Sequence, residues 1–153
     1  MVAGAANQPL TRLVWTELER AARVLNVTLQ RLQVPAARER LEEVLSAMRS
    51  RRPEALLTLN DPFFLIYRDR ILATAAELRL PTMFQTAEYV RAGGLLAYVP
   101  SYMDQGQQAA RYLARILNGE KPGSLAMQQP TKFELVINLK TAKALGLTIP
   151  PSL

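Results

Sequence analysis

Cysteine and histidine are both missing from this 153-residue chain. Without cysteine there is no disulfide framework, no thiolate metal site and no thiol nucleophile. Without histidine, a Ser-His-Asp triad, an imidazole general base and most zinc sites are excluded. Catalysis would have to run on carboxylates, lysine or tyrosine, and neither a metal nor a cofactor is expected. No apolar run is long enough to span a bilayer. The opening Met1-Val2-Ala3-Gly4-Ala5-Ala6-Asn7 has neither the basic nor the apolar region of a secretory signal. Internal repeats and low-complexity tracts are absent too. Gly93-Gly94 lacks the surroundings of a phosphate loop and reads as a tight turn.

What is present is ordinary for a globular domain. Hydrophobic residues make up 49% and charged residues 21%, and the length suits one core rather than two. Nineteen basic against 13 acidic residues give a formal charge of +6. Such an excess can serve nucleic acid, acidic membranes or anionic ligands. Most basic residues nevertheless sit beside acids on helical segments, as in Arg38-Glu39-Arg40 with Glu42 and Glu43, or Arg68-Asp69-Arg70. The one cluster, Arg49, Arg51 and Arg52, falls where a helix should end, and cations there complement the helix dipole. Solvated helix faces explain the charge, and nucleic-acid binding is not expected.

Helical and extended patterns alternate along the chain. Apolar residues from Leu10 to Leu25 form a helical stripe, and Val27 to Val34 alternates with period two, as a half-buried strand does. Pro35 opens a helix that buries Leu41, Val44, Leu45 and Met48 and ends at Arg52-Pro53. Ala55 to Leu59 is a short apolar run suited to a central strand. A single helix is expected from the Asp61 cap to about Arg79, with Tyr67, Ile71, Leu72, Ala75 and Leu78 inward. Strands follow at Leu80–Gln85 and Leu95–Val99, with a helical turn at Glu88–Arg91 between them. Ser101 caps a helix to Leu117, closed by Asn118-Gly119. Leu125–Gln129 and Phe133–Asn138 read as extended, and Leu139–Leu145 as a short helix. Short connections between alternating strands and helices imply right-handed crossovers and a mainly parallel sheet with helices on both faces.

In such sheets ligands bind beyond the carboxyl ends of the strands. Three strand ends carry suitable residues. At the first, Asn60 and Asp61 precede Phe63 and Phe64: Asp61 can accept from a ligand amine or hydroxyl, or simply cap its helix, and Phe63 can stack on a planar ligand or join the core. At the second, Gln85 and Thr86 can bond an uncharged ligand, while Glu88 can serve the ligand or the turn. At the third, Tyr98 and Tyr102 can line a cleft. No lysine lies near these ends, and the acids Asp61 and Glu88 belong to different loops, so a catalytic site is not expected.

From Ala55 onward the residues become distinctive. Ala55-Leu56-Leu57-Thr58-Leu59-Asn60-Asp61-Pro62-Phe63-Phe64, Leu80-Pro81-Thr82, Ala92-Gly93-Gly94-Leu95-Leu96-Ala97-Tyr98 and the tail from Gln129 to Pro150 closely resemble the ABC transporter substrate-binding protein family, including its tryptophan- and tyrosine-type uptake proteins. Leu18 to Leu25, followed by a strand, is similar to the helix that opens that family's second lobe. The resemblance implies a type I periplasmic-binding fold, in which two Rossmann-like lobes close on a ligand between them, and this chain corresponds to the C-terminal lobe. Residues 1–124 are then a three-layer Rossmann-like lobe whose first strand is expected to be lacking, and 125–153 a crossover and return segment towards an absent N-terminal lobe. It further implies a small-molecule ligand, an ABC permease as partner, a periplasmic or extracytoplasmic location and Asp61, Phe63, Gln85, Thr86 and Tyr98 as cleft residues. Val99 departs from the family pattern, which often has glycine there. An unpartnered return segment would bare Leu135, Val136 and Ile137 and favour a homodimer. The rival readings are a flavodoxin-like or carboxylate-using α/β enzyme and an α/β interaction or signalling domain.

Overall fold

The computed structural model describes residues 1–5, 9–34, 41–59 and 61–153. Its six strands are β1 (Val2–Ala5), β2 (Arg31–Val34), β3 (Leu56–Thr58), β4 (Thr82–Phe84), β5 (Leu96–Pro100) and β6 (Phe133–Ile137). They form one sheet in the order β2-β1-β3-β4-β5-β6, parallel except for β6. The chain steps outward from β1 to β2 and then back across to β3. That reversal puts the helices before and after it on opposite faces when crossovers are right-handed.

Before the reversal comes α1 (Pro9–Leu25); after it come α2 (Leu41–Arg51), α3 (Pro62–Ile66), α4 (Arg68–Glu77) and α5 (Ala87–Arg91). The second group builds the main core. Val44, Leu45 and Met48 of α2, Phe64 of α3 and Ile71 of α4 close over Leu32, Leu56 and Phe84 of the sheet. By contrast, Ala22 is the one described side chain of α1 that is buried, and the expected inner stripe leaves Leu13 and Leu25 exposed. Instead, the Arg31 guanidinium lies 4.8 Å from the Trp15 ring centroid, tying α1 to β2. Asn26 ends α1 with φ of 53°, and the strand expected from Val27 begins only at Arg31. The expected start of the next helix at Pro35 lies outside the described residues.

Three expectations are corrected. The first strand is not lacking: Val2–Ala5 is β1, bonded on both sides by β2 and β3. Its Ala/Gly-rich side chains carry little strand signal, and neighbouring backbones supply the pairing. The single helix from Asp61 to Arg79 is divided at Tyr67 (φ −104°, ψ 18°), beside which the Phe63 ring packs at 4.8 Å. Residues 133–146 do not head away from this lobe either. β6 pairs antiparallel with β5, and α7 (Leu139–Leu145) docks behind it.

That docking rests on specific bonds. Asn138 caps α7 by accepting from the amides of Lys140 and Thr141, while its own amide nitrogen donates to the Val90 carbonyl (2.9 Å). Thr141 Oγ1 donates to the Gly93 carbonyl, and Ala142 is buried. Pairing half-buries Val136 and Ile137, leaving Phe133, Glu134 and Leu135 as the exposed members of β6. Val99 points into a small core with Val90 and Ala97, away from solvent.

Between β5 and β6 runs α6 (Tyr102–Leu117), then a short 3-10 turn at Pro122–Ser124 and a stretch outside the described strands whose last carbonyl, that of Lys132, accepts from the Ser101 amide at 2.9 Å. Ser101 does not cap α6 with its side chain. Asp104 on the first turn instead meets Lys132 (2.9 Å) and Gln108, and those bonds hold its carboxyl below the usual carboxylate range.

Candidate ligand cleft

The parallel strands β3 and β4 end side by side, and each runs directly into a short helix. Their loops enclose an open cleft of about 180 Å³. Thr58 and Leu59 come from the end of β3, Asp61 from the cap of α3, Pro62 and Leu65 from α3 itself, and Gln85, Thr86, Glu88 and Tyr89 from the end of β4 and the first turn of α5. The position is the one expected of a ligand site in an open α/β sheet.

Local bonds account for the shape. Asp61 is extended and caps α3: its Oδ1 accepts from the Phe63 amide at 2.8 Å, and Pro62 fills the first helical position. The Gln85 side-chain nitrogen donates to the Thr58 carbonyl (3.2 Å), clamping the ends of β3 and β4 together. That bond leaves the Gln85 carbonyl as the end of the amide not engaged by Thr58. Thr86 Oγ1 is fully buried and, among the described residues, has no hydrogen-bond partner. Such a group carries a desolvation penalty.

Tyr89 supplies the aromatic wall. Its ring stacks on Phe84 at 4.4 Å between centroids and 3° between planes. Burial, reinforced by the negative charges of Glu88 and Asp61 and opposed by Arg68, pushes its phenol up to about 12. Tyr89 therefore stays a protonated donor at physiological pH. Gly94 makes the stack feasible: a Cβ there would meet two Phe84 ring carbons at 2.8 and 2.9 Å and the Tyr89 carbonyl at 2.9 Å. Its neighbour Gly93 adopts φ of 117°, so the glycine pair does serve a tight turn.

Of the residues singled out from sequence, Asp61, Gln85 and Thr86 meet in this cleft, and Glu88 lies at its rim. Asn60 lies outside the described residues. Phe63 packs edge-on against Phe64 (5.6 Å) and beside Tyr67, joining the core rather than the cleft wall. Tyr98 stands elsewhere, half-exposed on the sheet and stacked on Phe133 at 5.3 Å. Tyr102 is exposed on the first turn of α6 and does not line the cleft. Sequence reasoning overlooked Tyr89, Leu65 and Thr58. Helical spacing could have found two of them, because Tyr89 lies three residues beyond Thr86 and Leu65 four beyond Asp61.

Residues 9–153 match the family described as ABC transporter substrate binding protein. No curated protein matches the chain. Solved structures do. A conserved domain protein from Vibrio cholerae O1 biovar El Tor superposes with a TM-score of 0.81 at 24% identity, over 99% of this chain and 50% of that one. The ABC domain from Streptococcus pneumonia in complex with L-Trp gives 0.85 at 21% identity, with the same coverages. A substrate-binding protein with adhesive properties from Clostridium difficile, in a ligand-free open form, gives 0.73 at 17%, over 98% of this chain and 50% of that one. At these identities the likeness is one of fold. The chain spans about half the length of each.

Proposed function

Since the chain belongs to the ABC transporter substrate-binding protein family, we propose that the cleft at the ends of β3 and β4 is one wall of a two-walled solute site. The observation that carries this reading is its size. At about 180 Å³ the cleft is smaller than the roughly 300–1,000 Å³ of complete small-molecule sites. A ligand seated there would keep much of its surface in water until an opposing lobe closed over it. Closure buries the ligand and creates the form that an ABC permease recognises, so delivery depends on a population shift between open and closed states. The site works by binding and not by catalysis: one Asp61 oxygen is held by its helix cap, and Tyr89 keeps its proton. We place the protein on the extracytoplasmic side, where such a permease collects its solute. Among the described residues no helix is long and apolar enough to cross a membrane.

Amino acids are the first ligands to test, because the pneumococcal relative holds L-Trp. Isothermal titration of this chain with L-tryptophan and L-tyrosine should give dissociation constants weaker than about 1 mM, corresponding to less than about 4 kcal/mol of binding. Micromolar binding by a monomer would defeat the half-site reading. One observation favours the enzymatic rival, namely that Asp61 and Glu88 share the cleft. Turnover of an ester or glycoside that is lost in Asp61→Asn would establish that rival instead.

A further inference from the structure

Helix α6 sits with its amphipathic faces reversed. Its half-buried residues are the polar Asp104, Gln105, Gln108 and Tyr112. That side meets the stretch before β6, where Asp104 pairs with Lys132 and the Tyr112 hydroxyl donates to the Ala126 carbonyl. No residue of α6 is buried. On the opposite side lies an apolar arc of about 140°, at 3.6 residues per turn, that holds no charged residue. Met103 and Leu117 are each 77% exposed there, and Leu113 is 57% exposed. The outer face of α1 is ordinary by comparison, since Glu17 and Arg20 stand among Leu13 and Val24. An uncharged apolar face of this extent marks an interaction surface.

The midline of the arc points to the partner. Met103, Gly106, Ala110, Ala114 and Leu117 run along its centre. Their sizes read large, small, small, small, large from either end. We infer that this seam docks on the same seam of a second copy of the chain, with the two helices antiparallel about a two-fold axis at Ala110. That alignment sets Met103 beside the partner's Leu117, Gly106 against the partner's Ala114, and Ala110 against its own counterpart. Small residues then let the helices approach in the middle, and large ones cover the ends. Antiparallel helix dipoles also attract. A lipid surface fits less well, because interfacial helices carry Lys and Arg on their polar side, and that of α6 holds Asp104, Gln105 and Gln108. The 16 residues of α6 rise about 24 Å, so the arc covers roughly 300 Å² per copy. A stable interface uses about 800 Å² per partner. The dimer is therefore concentration-dependent, with a dissociation constant of roughly 10 μM to 1 mM. Nothing in this pairing depends on what the cleft binds.

Sedimentation equilibrium of the whole chain from about 10 μM to 1 mM should show the mass rising from monomer towards twice that value. Ala110→Glu sets like charges on the axis and should weaken association at least about tenfold. Leu13→Glu, on the exposed face of α1, should leave it unchanged, and circular dichroism checks that both variants fold. Because the chain has no cysteine, single introduced thiols report the geometry. Ala110→Cys should form a covalent dimer with oxidised glutathione. An equimolar mixture of Met103→Cys and Leu117→Cys chains should give the mixed dimer in preference to either symmetric one. Association undiminished in Ala110→Glu, or symmetric crosslinks in place of the mixed one, would overturn the pairing. A monomer mass at every concentration would also overturn it and leave the arc to a different protein domain. So would a monomer that sediments with vesicles of phosphatidylcholine and phosphatidylserine and loses that binding in Ala110→Glu, which would make the arc a membrane face.

Discussion

Replacing Gly94 with alanine adds one methyl group at the point where two aromatic rings and a backbone turn converge. The new Cβ would lie 2.8 and 2.9 Å from Phe84 ring carbons and 2.9 Å from the Tyr89 carbonyl oxygen. Comfortable carbon–carbon contacts lie at about 3.5–4.0 Å, so the ring must retreat by more than half an ångström. It has nowhere to go: Phe84 is 0% exposed and is stacked on Tyr89 at 4.4 Å. The carbonyl is equally fixed, since it accepts from the Gly94 amide at 2.8 Å. Overpacking of this kind costs about 1–3 kcal/mol. For a chain of this size each kcal/mol moves the melting midpoint by about 2–4 °C, so a fall of roughly 2–12 °C is expected by circular dichroism or calorimetry. Gly106 provides the opposite control. It sits inside α6, where an added Cβ would have nothing within 4 Å, and alanine there should stabilise by about 0.5–1 kcal/mol. Because the Gly94 penalty comes from the Phe84 ring, Phe84→Leu in the Gly94→Ala background should cost less than the two single changes summed. Additive losses, or a Gly94→Ala midpoint unchanged from the parent, would refute the close-packed stack.

Other perturbations test the remaining supports. Gly93→Ala places a β-carbon at φ of 117° with open space around it, so it should destabilise by about 1–3 kcal/mol through backbone strain alone, without the aromatic coupling expected at Gly94. Asp61→Ala removes the cap of α3 and should cost about 1 kcal/mol in chemical denaturation, with Asp61→Asn close to the parent. Asn138→Ala loses both N-capping bonds of α7 and the bond to Val90; faster amide exchange should appear in α7 and β6 before the central strands. Tyr89 gives a pH signature. Its phenol is raised to about 12, so the folded protein keeps a proton that the unfolded chain releases near pH 10. Stability from this group is complete below pH 10 and is lost as pH rises towards 12, by roughly 2–3 kcal/mol at most. Tyr89→Phe should flatten that limb of a stability–pH curve.

Periodicity along the chain was enough to locate most elements, because a parallel strand buried on both faces and a helix buried on one leave short-range patterns. Val44, Leu45 and Met48 recur at helical spacing and do close over the sheet. Asp61-Pro62 is a local cap-and-start signal that acts within one turn, and it forms as read. The pattern from Leu10 to Leu25 was equally regular, yet among its described side chains only Ala22 is buried. Spacing states which residues share a face and not what that face meets. The glycine and alanine residues of β1 gave no hydrophobic signal, since a central strand can be specified by backbone pairing with both neighbours.

Sequence alone therefore determined the alternation of strands and helices, the family, and the placing of ligand chemistry at strand ends, because each rests on residues within a turn or two of one another. Tertiary structure decided which strand ends share a cleft. Asp61, Gln85 and Thr86 come together because β3 and β4 are neighbours, while Tyr98 is drawn to Phe133 by the antiparallel pairing of β6. It also decided the part played by Tyr89, whose phenol is set by burial against Phe84 and by charges on other loops. Such environments are sums over residues far apart in the chain, and only the folded arrangement brings them within reach.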